Sequence, residues 1–429
     1  MTIMHACMRR AMGAAIFLLV LVLASTGFAQ QINIDIEEYG IGERRLVFGD
    51  PMGSSPSDPA PVQARNLENL IMENLAFVPF IHIIDKQSIL GGTRLNTYEF
   101  ELSDLERFSM AGADFLVSAR WVTGSEVELR VFGVFDGRMI VGKAYSIEND
   151  SQLEGVADMF CSAFMEAIDG PANFFRSSLA YVQNKNIHAI RATGRDARQL
   201  TSLEGSCLSP AWSPDGQYVV FSHLGDRYHS LGVWDSSGSV TTHPFRNSTV
   251  VGPTFTPGNQ VAVSLSENGD SDIYLLDISF SNRSPLVRGG GIDVSPDFSV
   301  SGGNMAYVSD RFGGPQVFVA GAGGGEGRRV TYQGSYNTDP SLNPEGTQLV
   351  YSRRTSSGYR IYLLDLVSGQ ERQLSYGPGN DEAPAFGPDG YFVAYTSRGR
   401  IFLTTVYAEG PIEIPTGGGV SFPAWGITQ

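Results

Sequence analysis

Cysteine and histidine are scarce in this sequence, and its charged fraction is low. Only 17% of its 429 residues are charged, three are cysteine and six are histidine. Lys and Arg number 30 against 45 Asp and Glu, a formal net charge of −15, which argues against nucleic acid and anionic membrane as partners. An acidic surface of this kind suits a basic protein partner or simply solubility. The longest apolar run, Ala14–Ala24, is short for a spanning helix, and no later stretch is long enough to cross a bilayer. Catalytic signatures are also missing: there is no Gly-x-Ser-x-Gly elbow, no His-Glu-x-x-His, no paired Cys-x-x-Cys and no EF-hand loop. His82, His188, His223, His229 and His243 do not cluster at ligand spacing, so no metal or other cofactor is expected. Gly321–Gly327 is glycine-rich but lacks the lysine of a phosphate loop and reads as a turn. Asn268-Gly-Asp270-Ser-Asp272 offers oxygens to Ca²⁺, yet other repeats lack these acids, and a hairpin turn is the expected reading.

At the N-terminus, Arg9 and Arg10 precede the apolar run, and Gly27 and Ala29 supply small residues. This is the layout of a secretory signal over residues 1–29, cleaved after Ala29. Loss of the two arginines takes the charge to −17. Cys7 leaves with the signal. Cys161 and Cys207 remain, and because they fall in different domains, buried free thiols are expected rather than a disulfide.

Glycine, in contrast, is abundant at 50 residues, and much of it falls in a repeated phrase. Pro210-Ala-Trp212-Ser213-Pro214-Asp215-Gly216 returns as Pro253-Thr-Phe255-Thr-Pro257-Gly258, Pro296-Asp-Phe298-Ser299 and Pro340-Ser-Leu342-Asn-Pro344-Glu-Gly346. It returns again as Pro384-Ala-Phe386-Gly-Pro388-Asp389-Gly390 and, cut short, as Pro423-Ala-Trp425-Gly426. Successive first prolines lie 43, 43, 44, 44 and 39 residues apart. A period of about 40–45 residues, with room for four short strands, marks propeller blades. Ser-Pro-Asp-Gly is turn chemistry, with φ fixed by proline, an acceptor next and glycine at the exit. The bulky residue two after each first proline is expected to wedge between blades. The strands missing after Trp425 are supplied by Leu179–Val182, Ile187–Ile190 and Arg198–Leu200. A sixth blade shared by the two ends of the repeat region therefore closes a six-bladed β-propeller over residues 171–429.

Residues 30–170 read as a small α/β domain. Helical spacing appears over Val62–Leu75, over a helix capped by Ser103 with Glu106 in the reciprocal position, and over Leu153–Ile168. The last of these is expected to bury Val156, Met159, Phe160, Ala163, Phe164 and Ala167. Strands are expected at Phe80–Ile84 and Asp114–Arg120, with a hairpin about Asp136-Gly137. Ahead of them, Gln30–Glu38 alternates, with Ile32, Ile34 and Ile36 on one side and Asn33, Asp35 and Glu37 on the other. This is either an ordinary first strand or a mobile segment able to pair with an edge of another protein.

Signal, α/β domain and propeller in this order resemble the TolB family of the Tol–Pal system. Gly112-Ala-Asp-Phe-Leu-Val, Ser178-Leu-Ala-Tyr-Val, Val308-Ser-Asp-Arg-Phe-Gly-Gly-Pro-Gln-Val-Phe318 and Phe422-Pro-Ala-Trp425 carry the likeness. The resemblance implies a monomeric, non-enzymatic periplasmic adaptor that supports outer-membrane integrity and invagination during cell division. It would bind the peptidoglycan-associated lipoprotein Pal at one propeller mouth, and so associate peripherally with the outer membrane. It would offer Gln30–Tyr39, centred on Ile32, Ile34 and Ile36, to the inner-membrane-anchored protein TolA. The Pal-facing surface would be the loops before the first prolines, at Thr249, Gly252, Val294, Asp339, Asp381 and Glu382. Thr249 stands where many relatives carry His, and Val294 where they carry Thr. The competing reading is an exported propeller enzyme acting on a glycan or peptide, which needs acids converging in the channel.

Overall fold

The computed structural model describes residues 42–428 except 56, 97, 98, 268, 278, 279 and 302. Residues 1–29, read from the sequence as a signal, and the segment holding Ile32, Ile34 and Ile36 lie outside the described residues.

The first domain is built on a five-stranded sheet of order β2-β1-β3-β4-β5: β1 Arg44–Phe48, β2 Ile81–Ile83, β3 Phe115–Thr123, β4 Glu126–Gly133 and β5 Met139–Ser146. β1 is parallel to both β2 and β3, whereas β3, β4 and β5 run antiparallel. Three helices flank it: α1 Gln63–Leu75, α2 Leu102–Met110 and α3 Leu153–Ala167. Alternation along the strands gives the sheet two apolar faces. Val47 and Leu116 meet Leu105 and Phe108 of α2, and Phe115 stacks edge-on against Phe164 of α3 with centroids 5.4 Å apart. Two details differ from the sequence reading. The cap of α2 is Glu101, whose N–H donates to Asp104 at 2.9 Å, so the reciprocal pair stands two residues ahead of Ser103 and Glu106. In α3, Met159 and Ala167 are exposed, and Cys161 and Met165 take the buried positions, because the helix packs against α1 along a stripe rotated from the one expected.

The second domain is a closed ring of six four-stranded sheets. Blades 1 to 5 open with the inner strands Ser206–Trp212, Thr249–Phe255, Asp293–Phe298, Asn337–Leu342 and Asp381–Phe386. Blade 6 takes its inner strand from Val420–Ile427 and the others from β6 Ser177–Gln183, β7 Asn186–Arg191 and β8 Arg198–Gln199. Trp425 pairs with Leu179 and Ile427 with Ser177, so strands from the two ends of the repeat region do close the ring.

The repeated phrase explains how blades stack. Gly216 N–H closes the Ser213-Pro214-Asp215-Gly216 turn onto the Ser213 carbonyl at 2.9 Å. Gly216 has φ 68°, and a Cβ there would fall 2.0 Å from the Ile427 carbonyl oxygen. Only glycine meets both demands. Trp212 wedges into blade 6, where a Cβ on Gly426 would lie 2.3 Å from its Cγ. Trp425 reaches blade 5, its indole N–H donating to the Ala385 carbonyl at 3.0 Å. The aromatic positions Tyr307, Tyr351 and Tyr395 are buried packing residues. Cys161 and Cys207 are buried free thiols, and burial pushes both thiol pKa values up.

The domains meet on one face of the ring. A 3₁₀ segment, Ala172–Arg176, leads from α3 into β6. Asp389, the acid of the blade 5 phrase, accepts the N–H groups of Asn173 and Phe174 at 3.1 and 2.8 Å. Its blade 1 counterpart, Asp215, accepts from Gln217 N–H of its own turn at 3.0 Å and from the Asn259 amide of blade 2 at 3.5 Å. Phe174 packs on Phe392 at 4.5 Å, and Phe80 meets Tyr391 edge-on at 5.9 Å. Asp158 of α3, 2% exposed, holds Arg191 at 2.7 Å and Arg195 at 3.1 Å, both from blade 6. Asn74 of α1 donates to the same carboxylate at 2.8 Å and accepts from Arg195.

Candidate partner-binding mouth of the propeller

Every inner strand carries the same irregularity. The residue before each first proline has a left-handed φ: Ser209 48°, Gly252 54°, Ser295 54°, Asp339 52°, Ala383 51° and Phe422 53°. The pairing register with the second strand shifts at this point in all six blades. Proline lacks an N–H for the ladder and disfavours helical backbone in the residue before it, so the pair is extruded as a bulge. Six such bulges ring the bore.

The candidate residues therefore lie in strands, and the expectation of loops is corrected. Thr249 pairs with Ser266 at the start of the blade 2 strand, and Gly252 is the bulge itself. Val294 pairs with Val308 in blade 3 and is half-buried. Asp339 is the blade 4 bulge. Asp381 pairs with Ser397, is 3% exposed, and has Arg360 Nη1 3.6 Å from its Oδ2. Arg360 is itself 4% exposed, so this ion pair is internal. Glu382, the next residue, is exposed.

Electrostatics mark the blade 4–5 sector. Desolvation pushes the Asp339 carboxyl up, opposed by hydrogen bonds from Thr338 and the Ala383 N–H. Desolvation and then the neighbouring charges of Asp339 and Asp381 push Glu382 up. Farther along the bore, Asp297 accepts Leu342 N–H from the next blade at 2.7 Å, and burial raises its pKa to about 7. Carboxylates crowded in this way gain from a partner bringing cations or hydrogen-bond donors.

This mouth is the end at which inner strands begin. The turns that contact the first domain, around Asp389 and Arg195, lie at the opposite end, so the acidic mouth faces away from that domain. Sequence reasoning missed its exposed aromatics: Phe312, Tyr332 and Tyr376 are 69%, 71% and 68% exposed. Tyr332 and Tyr376 lie in connections leading into inner strands, and Phe312 in a turn at the same end. The signal was available, because Tyr332 and Tyr376 each stand eight residues before a first proline.

Metal ligands do not gather: no group of three His, Cys, Asp or Glu side chains able to hold an ion occurs among the described residues. Gly321–Gly327 is the turn between the third and outer strands of blade 3. Asp272 lies 3.7 Å from Arg288.

A closed six-bladed ring preceded by an α/β region that packs on one of its faces defines the class as a β-propeller protein. The family described as "TolB beta propeller domain" matches residues 165–429. The "Tol-Pal system protein TolB" of Nitratidesulfovibrio vulgaris is 43% identical over 311 residues, covering 70% of each chain. The "Protein TolB homolog" of Chlorobium luteolum is 30% identical over 303 residues, covering 69% of this chain and 68% of its own. The crystal structure of TolB from Acinetobacter baumannii shares the fold with a TM-score of 0.77 at 21% identity, over 89% of this chain and 96% of its own. The chain belongs to the TolB family, and with it to the components of the Tol–Pal system.

Proposed function

We propose that this protein is a non-enzymatic periplasmic adaptor that receives the lipoprotein Pal at the acidic propeller mouth and TolA through Gln30–Tyr39. The observation that carries the reading is the set of six bulges at the end of the inner strands away from the α/β domain. The inner strands hold Thr249, Gly252, Val294, Asp339 and Glu382 in a rigid ring. A convex loop entering the bore would meet exposed Glu382 first and the Asp339 bulge next, with Phe312, Tyr332 and Tyr376 around it. Asp381 would act from behind, with Arg360 fixing the strand that presents Glu382.

Docking at the mouth would favour one placement of the N-terminal segment over another, coupling two partners reciprocally. Because the ring is stiff, this coupling would run through the loosely held segment rather than through the blades.

The test is a binding titration of mature protein from Gln30, its Gln30–Tyr39 deletion, and Glu382→Lys, each against purified Pal and TolA. Charge reversal at the mouth should weaken Pal by roughly tenfold or more and leave TolA bound. The deletion should lose TolA, retain Pal and shift Pal affinity. Pal affinity insensitive to Glu382→Lys would remove the mouth from the proposal. If the deletion changed neither partner's affinity, the switch would fail.

A further inference from the structure

The first domain carries an apolar face on the outer side of α2. That helix buries Leu105 and Phe108 against the sheet, yet Leu102 and Met110 on its other side are 58% and 79% exposed. The tip of the β4–β5 hairpin adjoins its start, since a Cβ on Gly137 would lie 2.9 Å from Leu102 Cδ2. Beside that glycine, Phe135 is 95% exposed. Along α2 runs a cleft of about 440 Å³, lined by Ser103, Asp104, Glu106, Arg107 and Met110 of the helix and by Leu90 across from it. Scattered exposed apolar residues are ordinary, but Leu90 and Met110 share the wall of one cleft, and Leu102 lies beside the hairpin tip at the start of the same helix.

The rim is acidic. Glu99, Glu101, Asp104, Glu106 and Asp136 are all exposed around this face. Arg94, Arg107 and Arg138 only partly offset them. Arg107 lines the cleft itself, donating to the Arg94 carbonyl at 2.7 Å and lying 4.9 Å from the Phe108 ring.

We propose that this face is a docking groove for an amphipathic partner helix whose apolar stripe is flanked by lysine or arginine. Leu102 and Met110 stand eight helical positions apart, about 12 Å at 1.5 Å per residue. That separation matches apolar side chains about two turns apart on a helix lying alongside α2, the helix-in-groove mode of recognition. The carboxylate rim selects the sign of the partner. A second copy of this chain would bring the same five acids into opposition, and an anionic lipid surface would be repelled likewise.

The probe is a fluorescent Leu/Lys helical peptide of roughly 18 residues, long enough to fold on contact. It is titrated by anisotropy against the mature full chain at physiological salt. Saturable binding is expected, weakened roughly tenfold or more by Leu102→Glu with Met110→Glu, and by exchange of every peptide Lys for Glu. Asp339→Asn with Glu382→Gln, at the propeller mouth, should leave affinity unchanged. Because Leu102 and Met110 are exposed, the double variant should keep the wild-type melting curve, and Leu102→Ala with Met110→Ala gives a milder second reading. Equal affinity for wild type and both double variants overturns the proposal, as does equal binding of the Glu peptide. Loss of binding in the mouth variant assigns the peptide to the bore and also overturns it. Wild-type self-association in sedimentation velocity, abolished by Leu102→Glu with Met110→Glu, would make a second copy the occupant. Co-sedimentation with phosphatidylcholine vesicles, lost in the same variant, would make it lipid. Either result overturns the proposal.

Discussion

Replacing Asp297 by asparagine should stabilise this protein, and by an amount that depends on pH. Asp297 follows Pro296 on the blade 3 inner strand, and its one described hydrogen bond is the Leu342 N–H of blade 4. Ser341, at the same place in blade 4, accepts the Phe386 N–H of blade 5 at 3.1 Å. A neutral oxygen therefore does this work one blade along, and the charge of Asp297 adds only a desolvation cost. With a native pKa of about 7 against 3.8 for the free side chain, the folded state holds a proton between those values that the unfolded state has lost. Stability then falls as pH rises from about 4 to about 7, at roughly 1.4 kcal/mol per pH unit, and levels off above. The ceiling is about 4 kcal/mol at pH 8, and relaxation around the carboxylate should leave about half of it. The Asp297→Asn variant avoids this loss while keeping an acceptor for Leu342. The assay is thermal unfolding of Asp297→Asn and wild type at pH 5 and pH 8 in matched ionic strength. The gain at pH 8 should exceed that at pH 5 by at least about 1 kcal/mol, or roughly 2–4 °C for a domain of this size. A gain equal at both pH values, or a loss at pH 8, would refute the reasoning.

Two further substitutions test how the parts are joined. Asp158→Ala leaves Arg191 and Arg195 facing each other without their shared carboxylate. It should cost about 2–4 kcal/mol, less than a fully enclosed pair because both arginines touch solvent. Limited proteolysis should show earlier cleavage in the linker at Ala172–Arg176; an unchanged melt and digestion pattern would mean the network is dispensable. Gly426→Ala places a methyl 2.3 Å from Trp212 Cγ and should cost about 1–3 kcal/mol by overpacking. Gly258→Ala, whose nearest neighbour would be 3.8 Å away, should be close to neutral when both variants are unfolded in urea. Equal effects of the two would dismiss the wedge.

The repeat was legible because it is written in backbone terms. Proline, glycine and a fixed period dictate turns and strands almost regardless of what surrounds them, so the blades and their closure at Trp425–Leu179 followed directly. What stayed hidden depended on three-dimensional neighbours. The prolines announced a break in pairing, but nothing local said that the break is a bulge inside a strand rather than a loop. Asp381 and Glu382 are adjacent acids in the sequence, and only the position of Arg360 separates a buried pair from an exposed charge. Asp215 and Asp389 occupy the same phrase, yet the second is diverted to the linker because the first domain sits above blade 5. Met159 fitted a helical period, but the packing of α3 on α1 decided which stripe is inside.

The shared sixth blade also sets an order of events. β6 pairs with strand Val420–Ile427, and Ser178 and Thr428, bonded across this seam, are 250 positions apart. Entropy alone penalises so long a closure only weakly, but contacts this distant form late. Blades 1 to 5 can assemble from local hairpins as the chain emerges, while β6 waits with one edge bare. Until the final strand arrives, that edge can recruit any extended segment nearby, including the same strand of another molecule. By this argument the seam is the last joint to close and the edge left bare longest while the chain folds.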